Sequence, residues 1–178
     1  MRKKGLALLL TALIFLLAAC QIELSGEMRT CEGDGFSFQY PKEFMVEKAG
    51  EDAPDKIQMR YMVGGEMYLC TVMPHEEGKK LADLTEAGRQ EVVDILVDNM
   101  EAQIRVEMQA HETGTVSLGG RDAYYYRYQD ELSVCRMDMY LFEGRDTMEV
   151  LMLGANDSAG TVRFDEVLGG IPESFRFE

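Results

Sequence analysis

The first twenty residues constrain this chain most, because they decide in which compartment the rest of it folds. Arg2, Lys3 and Lys4 form a basic head, and residues 5–19 follow as an apolar run in which Thr11 is the only polar side chain. This run is short for a membrane-spanning helix, which needs about 20 residues, but it is typical of the apolar region of an export signal. We therefore predict that residues 1–19 are a signal peptide.

Two small residues, Ala18 and Ala19, stand directly before Cys20. This arrangement resembles the lipobox of bacterial lipoproteins, and the resemblance implies cleavage before Cys20 and attachment of diacylglycerol to its sulfur. Two acyl chains hold a protein on a bilayer stably, whereas one holds it only marginally. We expect a protein anchored by lipid to the extracytoplasmic face of the cell membrane. The alternatives are a secretory signal followed by an unrelated cysteine, and an uncleaved anchor helix.

The composition after the signal is strongly acidic. Three of the 18 basic residues lie in the signal and all 32 acidic residues follow it, so residues 20–178 carry a formal net charge of −17. Such a balance argues against a nucleic-acid partner, which needs a clustered positive field, and against docking of the domain on anionic lipid head groups. The alternative interpretation is that the acidic surface keeps an exported protein soluble. The remaining chain is long enough for one domain.

Segments with the two-residue periodicity of β-strands recur along the chain after the signal. Residues 20–34 show no sustained period and are interpreted as a lipidated tether, and the globular domain is expected over 35–178. Residues 36–40 alternate as a half-buried strand does, and 57–63 and 67–73 flank a glycine turn as a hairpin does. The segments 123–129, 133–142 and 147–153 are joined by short turns, which predicts three consecutive antiparallel strands.

Two helices are expected. The main helix is predicted near 84–101, with Asp83 and Glu86 as a capping box. Its apolar stripe comprises Leu84, Ala87, Gly88, Val92, Ile95, Leu96 and Met100. The segment from Ile104 to Met108 fits either an extension of this helix or a strand. A second helix is predicted near 158–168, ended by Gly169-Gly170.

Three segments carry a resemblance to a known family. They are residues 35–44 (GFSFQYPKEF), 118–124 (LGGRDAY) and 174–177 (SFRF). Their order around one long helix resembles the PsbP-like family. The resemblance implies an α+β fold, an antiparallel β-sheet with helices packed on its faces in an α/β/α sandwich. It implies no catalytic residues, since the family shares none.

Few residues suggest catalysis or metal binding. Only His75 and His111 are histidines, and HExxH, GxSxG, P-loop and EF-hand patterns are absent. The segment His75-Glu76-Glu77 fits either a metal ligand set or a solvated loop. Met137 and Met139 fit either a copper-binding pair or a flexible core. No cofactor is predicted.

Three cysteines remain once Cys20 is assigned to lipid. No two of them have the CxxC spacing; they are Cys31, Cys70 and Cys135. Because their number is odd, at least one thiol stays unpaired in a monomer. Cys70 and Cys135 lie in strand-like runs and are interpreted as buried apolar residues. No disulfide is predicted.

A tyrosine-rich strand provides the candidate partner surface. Tyr124, Tyr126 and Tyr128 share one face of the predicted strand, and Arg127 and Arg136 lie nearby. Tyr and Arg are enriched in interface cores, so this set is suited to a protein or sugar partner. The alternative is that helices cover both faces of the strand and the tyrosines are packing residues.

These observations favour a non-enzymatic binding or assembly module. The alternatives are an envelope enzyme, either a hydrolase or a thiol redox protein using His75 or a free cysteine, and a metal-binding lipoprotein.

Overall fold

The computed structural model describes residues 24–47, 56–63, 66–75, 77–132, 134–156 and 163–178. The predicted signal peptide and Cys20 lie outside these residues, as does the beginning of the second predicted helix. Within the described ranges, no helix combines the length and the apolar character that are needed to cross a membrane.

The centre of the fold is a seven-stranded antiparallel sheet with the order β3-β4-β5-β9-β8-β7-β6. Its strands are β3 (Met45–Glu47), β4 (Ile57–Val63), β5 (Glu66–Pro74), β6 (Gln109–Leu118), β7 (Arg121–Gln129), β8 (Cys135–Glu143) and β9 (Met148–Asn156). Strands β7, β8 and β9 are consecutive antiparallel neighbours, which confirms the predicted meander. The predicted hairpin is confirmed by the pairing of β4 with β5, and its turn residues Gly64 and Gly65 lie outside the described residues.

A second sheet contains β1 (Met28–Gly33), β2 (Phe36–Pro41) and β10 (Arg176–Phe177). The prediction of a tether over 20–34 is therefore wrong for residues 28–33, which pair with β2 along its whole length. The side chains of β1 are mostly exposed, so the sequence lacks the apolar alternation of a half-buried strand. Backbone hydrogen bonds to β2, rather than burial, hold β1 in place.

The long helix, α1, spans Glu86–Ile104. Its N-cap is Thr85, whose hydroxyl accepts a hydrogen bond from the Gly88 N–H at 3.1 Å. The predicted capping box at Asp83 is wrong, because Asp83 belongs to a short 3₁₀ turn that precedes the helix. The helix ends at Arg105, which adopts a left-handed conformation with φ of 57°. Ile104 thus belongs to the helix, and Met108 immediately precedes β6.

The buried face of α1 differs from the predicted stripe by about one position. Val93 and Val97 are buried, Val92 and Leu96 are partly buried, and Ile95 is 55% exposed. The predicted stripe included Ile95 and omitted the two valines. Successive residues are rotated by 100° around a helix, and α1 has apolar residues at 92, 93, 95, 96 and 97. These residues cover so much of its circumference that periodicity alone does not show which face is buried.

Two hydrophobic cores lie on the two faces of the large sheet. The first core lies between that sheet and a layer formed by the small sheet and two short helices, α2 (Phe164–Leu168) and α3 (Gly170–Ser174). Its centre is a cluster of rings in which Phe175 lies 5.2 Å from Phe36 and 5.7 Å from Phe38, measured between centroids. The second core lies between α1 and the methionine-rich face of β8 and β9. The predicted α+β class, with helices on both faces of an antiparallel sheet, is confirmed.

The second helix, α2, ends at Leu168 with Gly169 as its C-cap, as predicted, but the backbone does not turn left-handed there. Gly169 has φ of −60° and ψ of −32°, which is right-handed helical, and α3 follows directly after α2. Glycine permits a left-handed helix end but does not require one. The chain therefore continues as a second helical turn, which carries Ile171 into the first core.

The three described cysteines are free thiols. Cys70 is buried in the first core and Cys135 in the second, which confirms their interpretation as apolar packing residues. Met137 and Met139 are buried in the second core, as the core interpretation predicts.

Candidate functional site

The predicted tyrosine and arginine surface is divided between the two faces of the large sheet. Tyr124, Tyr126 and Tyr128 point toward α1, and Tyr126 and Tyr128 are buried. Arg127 and Arg136 lie on the opposite face. The prediction of one shared partner surface is wrong, because side chains alternate along a strand and α1 covers the tyrosine face.

The tyrosines of this face are packing residues with polar contacts to α1. The Tyr128 hydroxyl accepts a hydrogen bond from Gln90 Nε2 at 3.1 Å. The Arg89 guanidinium lies 3.8 Å from the centroid of the Tyr124 ring. These contacts hold the helix on the sheet and leave no exposed tyrosine surface there.

The two arginines converge on one buried carboxylate, that of Asp138. Arg127 pairs with Asp138 across β7 and β8, and Arg136 lies two residues before it. The Asp138 carboxylate accepts hydrogen bonds from Nε and Nη2 of Arg127 at 3.1 and 3.3 Å and from the same atoms of Arg136 at 3.0 and 2.7 Å. The Tyr125 hydroxyl donates a fifth hydrogen bond at 2.8 Å. The side chain of Asp138 is only 3% exposed and that of Arg136 is 7% exposed.

Each arginine has an outer nitrogen that pairs with an exposed carboxylate. Arg127 Nη1 lies 3.1 Å from Glu112, and Arg136 Nη1 lies 3.1 Å from Asp165. The side chains of Glu112 and Asp165 are 55% and 76% exposed. Exposed ion pairs contribute about 0–1 kcal/mol, so a ligand can displace these two carboxylates at little cost.

The arginines form one wall of an open pocket of about 360 Å³, here called the arginine pocket. Its other sides come from Tyr140 on β8 and from the α2–α3 segment, including Asp165, Gly169, Gly170 and Glu173. Volumes of about 300–1,000 Å³ are usual for sites that bind small molecules. The Arg136 guanidinium stacks on the Phe164 ring at 3.9 Å, which fixes the orientation of its planar fork.

Burial and charge shift the ionisation of the groups around Asp138. Burial raises the pKa of Tyr125, and the neighbouring Asp138 carboxylate raises it further. Burial and Asp138 likewise raise the pKa of Tyr140. Burial alone would lower the pKa of Arg136, but the hydrogen bonds and charge of Asp138, with the charge of Asp165, raise it above its usual value. Tyr125 and Tyr140 are therefore neutral phenols near neutral pH, and the Arg136 guanidinium keeps its charge.

The two histidines lie away from this pocket. His75 lines a separate groove of about 210 Å³ between α1 and the end of β5, together with Lys79 and Glu91. Its Nδ1 accepts a hydrogen bond from the Glu77 N–H at 3.1 Å. No described cysteine lines that groove, and His111 lies exposed on β6. Among the described residues, no group of three His, Cys, Asp or Glu side chains is arranged to hold a metal ion.

Sequence reasoning missed Asp138, Tyr125 and Tyr140. The signal was present in β8, where Arg136, Asp138 and Tyr140 alternate with Met137 and Met139. A central strand with polar side chains on one face either exposes that face to solvent or buries a network of polar groups there. Asp138 also lies opposite Arg127 once the meander is in register.

Comparison with known proteins gives the fold. No family model matches the sequence, and no curated protein matches it either. The solution structure of cyanobacterial PsbP (CyanoP) from Synechocystis matches with a TM-score of 0.59 and 14% sequence identity, over 85% of this chain and 92% of that one. The domain has the PsbP-like fold. The fold that the three sequence segments implied is thereby confirmed, and at this identity the likeness extends to the fold alone.

Two further solved structures match with lower scores. A crystal structure from Bacteroides thetaiotaomicron matches with a TM-score of 0.45 and 13% identity, over 86% of this chain and 48% of that one. LpqN of Mycobacterium tuberculosis, described as involved in cell envelope biogenesis, matches with a TM-score of 0.43 and 12% identity, over 84% of this chain and 90% of that one.

Proposed function

We propose that this protein is a non-enzymatic binding module, anchored to the extracytoplasmic face of the cell membrane by lipid on Cys20, and that the arginine pocket holds its ligand. The PsbP-like fold is compatible with a non-enzymatic extracytoplasmic module. The observation that carries the proposal is the convergence of Arg127 and Arg136 on buried Asp138 in an open pocket.

A stability role alone does not account for this cluster. Removing charges from water costs several kcal/mol per ion, and replacing a buried ion pair by apolar residues is often neutral or stabilising. The surrounding strands of this sheet already bury large apolar side chains such as Phe142 and Leu153 on the same face. Two oriented guanidinium groups beside a pocket are suited to recognising a ligand, because their donors are held in place before binding.

The charge pattern of the pocket favours a polyhydroxylated ligand, which we take to be a sugar. Arg127 and Arg136 offer their Nη1 donors once a ligand displaces Glu112 and Asp165, and Glu173 lines the α2–α3 side of the pocket with a carboxylate acceptor. A simple anion is repelled by the carboxylates and a simple cation by the guanidinium groups. Sugar hydroxyl groups donate and accept at once, and the partly exposed Tyr140 ring provides an apolar surface for the ring carbons.

The experiment is a binding screen on immobilised neutral oligosaccharides, using the lipid-modified full chain in detergent. We expect Arg127→Gln and Glu173→Gln each to weaken binding by about tenfold, which corresponds to the loss of one hydrogen bond to a charged group. Arg145→Gln is the matched control, because Arg145 is an ion-paired arginine 58% exposed at a different pocket. His75→Ala and His111→Ala should leave binding unchanged.

Absence of binding to every saccharide, by a protein that remains folded, would refute the sugar assignment. Binding that persists in Arg127→Gln and Glu173→Gln would show that the ligand lies elsewhere. Loss of binding in His75→Ala with unchanged stability would instead favour the enzyme or metal alternatives.

A further inference from the structure

The chain is fixed to the domain very soon after the proposed lipid anchor. Leu24 packs against the first core, and the Ser25 N–H donates to Glu43 Oε1 at 3.0 Å. The Lys42 N–H donates to the Glu27 carbonyl at 3.0 Å. Residues 24–27 are therefore attached to the turn that follows β2.

The distance from the anchor to this turn is short. Only Gln21, Ile22 and Glu23 separate Cys20 from Leu24. A fully extended chain spans at most about 3.6 Å per residue, so Leu24 lies within about 14 Å of Cys20. This reach is well below the diameter of the domain, so lipid on Cys20 would place the part of the surface around Glu43 next to the bilayer.

That part of the surface carries most of the exposed apolar side chains. Six large apolar residues are exposed among the described residues, and four of them lie here: Met28, Met45, Val46 and Met62. Met28 pairs with Pro41 in the small sheet, and Met45 pairs with Arg60, two residues before Met62, in the large sheet. The rings of Phe44 and Tyr61 lie 5.7 Å apart, which brings the β3 and β4 segments together at the same place. Val46 pairs with Met59 of the first core and points to that face of β3, whereas Met45 and Met62 point to the other, so the exposed apolar residues flank the outer edge of the sheet from both sides. Exposed apolar residues grouped at one edge mark an interaction surface.

No described helix covers this edge. The second core under α1 takes residues from β5, β7, β8 and β9 but none from β3 or β4 among the described residues. The outer faces of Met45 and Met62 are consequently open. Methionine is flexible and packs against irregular surfaces, including acyl chains.

Two ion pairs lie at this edge in the part of the chain that the structure describes. Lys42 lies 2.9 Å from Glu27, and Arg60 lies 2.6 Å from Glu47. Glu43 accepts the hydrogen bond from Ser25. Among the described residues of this edge, two acidic side chains are thus paired with basic ones, whereas the outward face of α1 carries the exposed residues Glu91, Asp94 and Asp98.

We propose that Met28, Met45, Val46 and Met62 form a membrane-contact edge that inserts into the interface of the bilayer in which the protein is anchored. This inference rests on the proposed lipid anchor and adds a fixed orientation to it. The sequence interpretation of a domain hanging on a tether is replaced by a domain seated on the lipid surface. The contact is apolar, so it does not need anionic head groups.

The chain has no tryptophan, so single substitutions provide a clean probe. The lipid-modified full chain is reconstituted into phosphatidylcholine vesicles whose acyl chains are brominated near the head group. We expect the fluorescence of Met45→Trp and Met62→Trp to shift to the blue and to be quenched several-fold on reconstitution. Ile95→Trp is the matched control, because Ile95 is also 55% exposed but lies on α1. It should show neither change.

Flotation of the vesicles separates the two possible failures. If the protein floats with the vesicles and Met45→Trp is quenched no more than Ile95→Trp, the membrane-contact edge is refuted while the anchor stands. If the protein does not float, the anchor itself is refuted. A blue shift without quenching would assign the edge to contact between copies of this protein and would also overturn this proposal.

Discussion

Asp138 is the single residue on which the arginine pocket depends. Removing its carboxylate leaves Arg136, with a side chain only 7% exposed, without its main partner. We predict that Asp138→Ala lowers the free energy of unfolding by about 3–5 kcal/mol, the cost of leaving one buried charge uncompensated. Asp165→Ala removes an exposed partner of the same arginine and should cost only about 0–1 kcal/mol. Urea unfolding of both variants measures the difference, and equal effects would contradict the assignment.

The thiol of Cys31 provides a second test at the residue scale. Burial, with a smaller effect of Glu32, raises its pKa from 9.0 to about 11. Only the thiolate reacts with iodoacetamide, so near neutral pH we predict that Cys31 in the folded protein reacts about 100-fold more slowly than an unperturbed thiol. Reactivity should rise as the pH rises through 11. Mass spectrometry after alkylation measures it, with the urea-unfolded protein as control.

The raised pKa of Cys31 also makes the free energy of unfolding depend on pH. A raised pKa means that the folded state favours the protonated thiol. This contribution to the free energy of unfolding is complete below pH 9.0 and is lost as the pH rises toward 11. Rapid alkylation of folded Cys31 near neutral pH would show that the thiol is not buried as described.

At the scale of elements, α1 is the layer whose packing can be tested most sharply. Val93 is fully buried in the second core, Leu96 is partly buried, and Ile95 is largely exposed. We predict that Val93→Asp destabilises the domain by at least about 4 kcal/mol, because it buries an unpaired charge. Leu96→Asp should have an intermediate effect, and Ile95→Asp should change stability by less than about 0.5 kcal/mol. Thermal unfolding gives the order, and a reversal of Val93 and Ile95 would show that the helix is rotated on the sheet.

Elements that bury an alternating face could be predicted from the sequence, and others could not. The strand over 36–40 alternates with period two because one of its faces is buried. The meander was predicted from its short turns, since β8 and β9 are buried on both faces. Strand β1 shows none, since its stability comes from backbone pairing that leaves no trace in side-chain pattern. Arg127 and Arg136 were identified as candidates, but their shared partner Asp138 depends on the register between β7 and β8, which only the folded sheet provides.

At the scale of the whole molecule, the two proposed surfaces lie at different positions across the sheet. The membrane-contact edge involves β3 and β4, and the arginine pocket lies on β7 and β8. Four strand spacings of about 4.8 Å separate β3 from β8, which places the pocket roughly 19 Å from the membrane-contact edge. A domain seated on the bilayer by that edge would therefore hold its pocket in the aqueous phase, where a ligand has access.

The anchor is the prediction on which this orientation depends. Cys20 follows the small pair Ala18-Ala19, whereas Cys31 lies within β1 and is partly buried against the first core. We therefore predict that metabolic labelling with a fatty acid marks the wild type and Cys31→Ala equally. Cys20→Ala should lose the label and accumulate as the unprocessed precursor, because both lipid attachment and cleavage in front of residue 20 need that thiol.

The two cysteine variants are matched in chemistry and differ only in position, so general effects of removing a thiol cancel. Export without lipid would give a processed, unlabelled wild type that is released from membranes, as a simple secretory signal would. Label that persists in Cys20→Ala would place the lipid elsewhere. It would also remove the short reach from residue 20 to Leu24 from which the seating of the domain on the membrane was inferred.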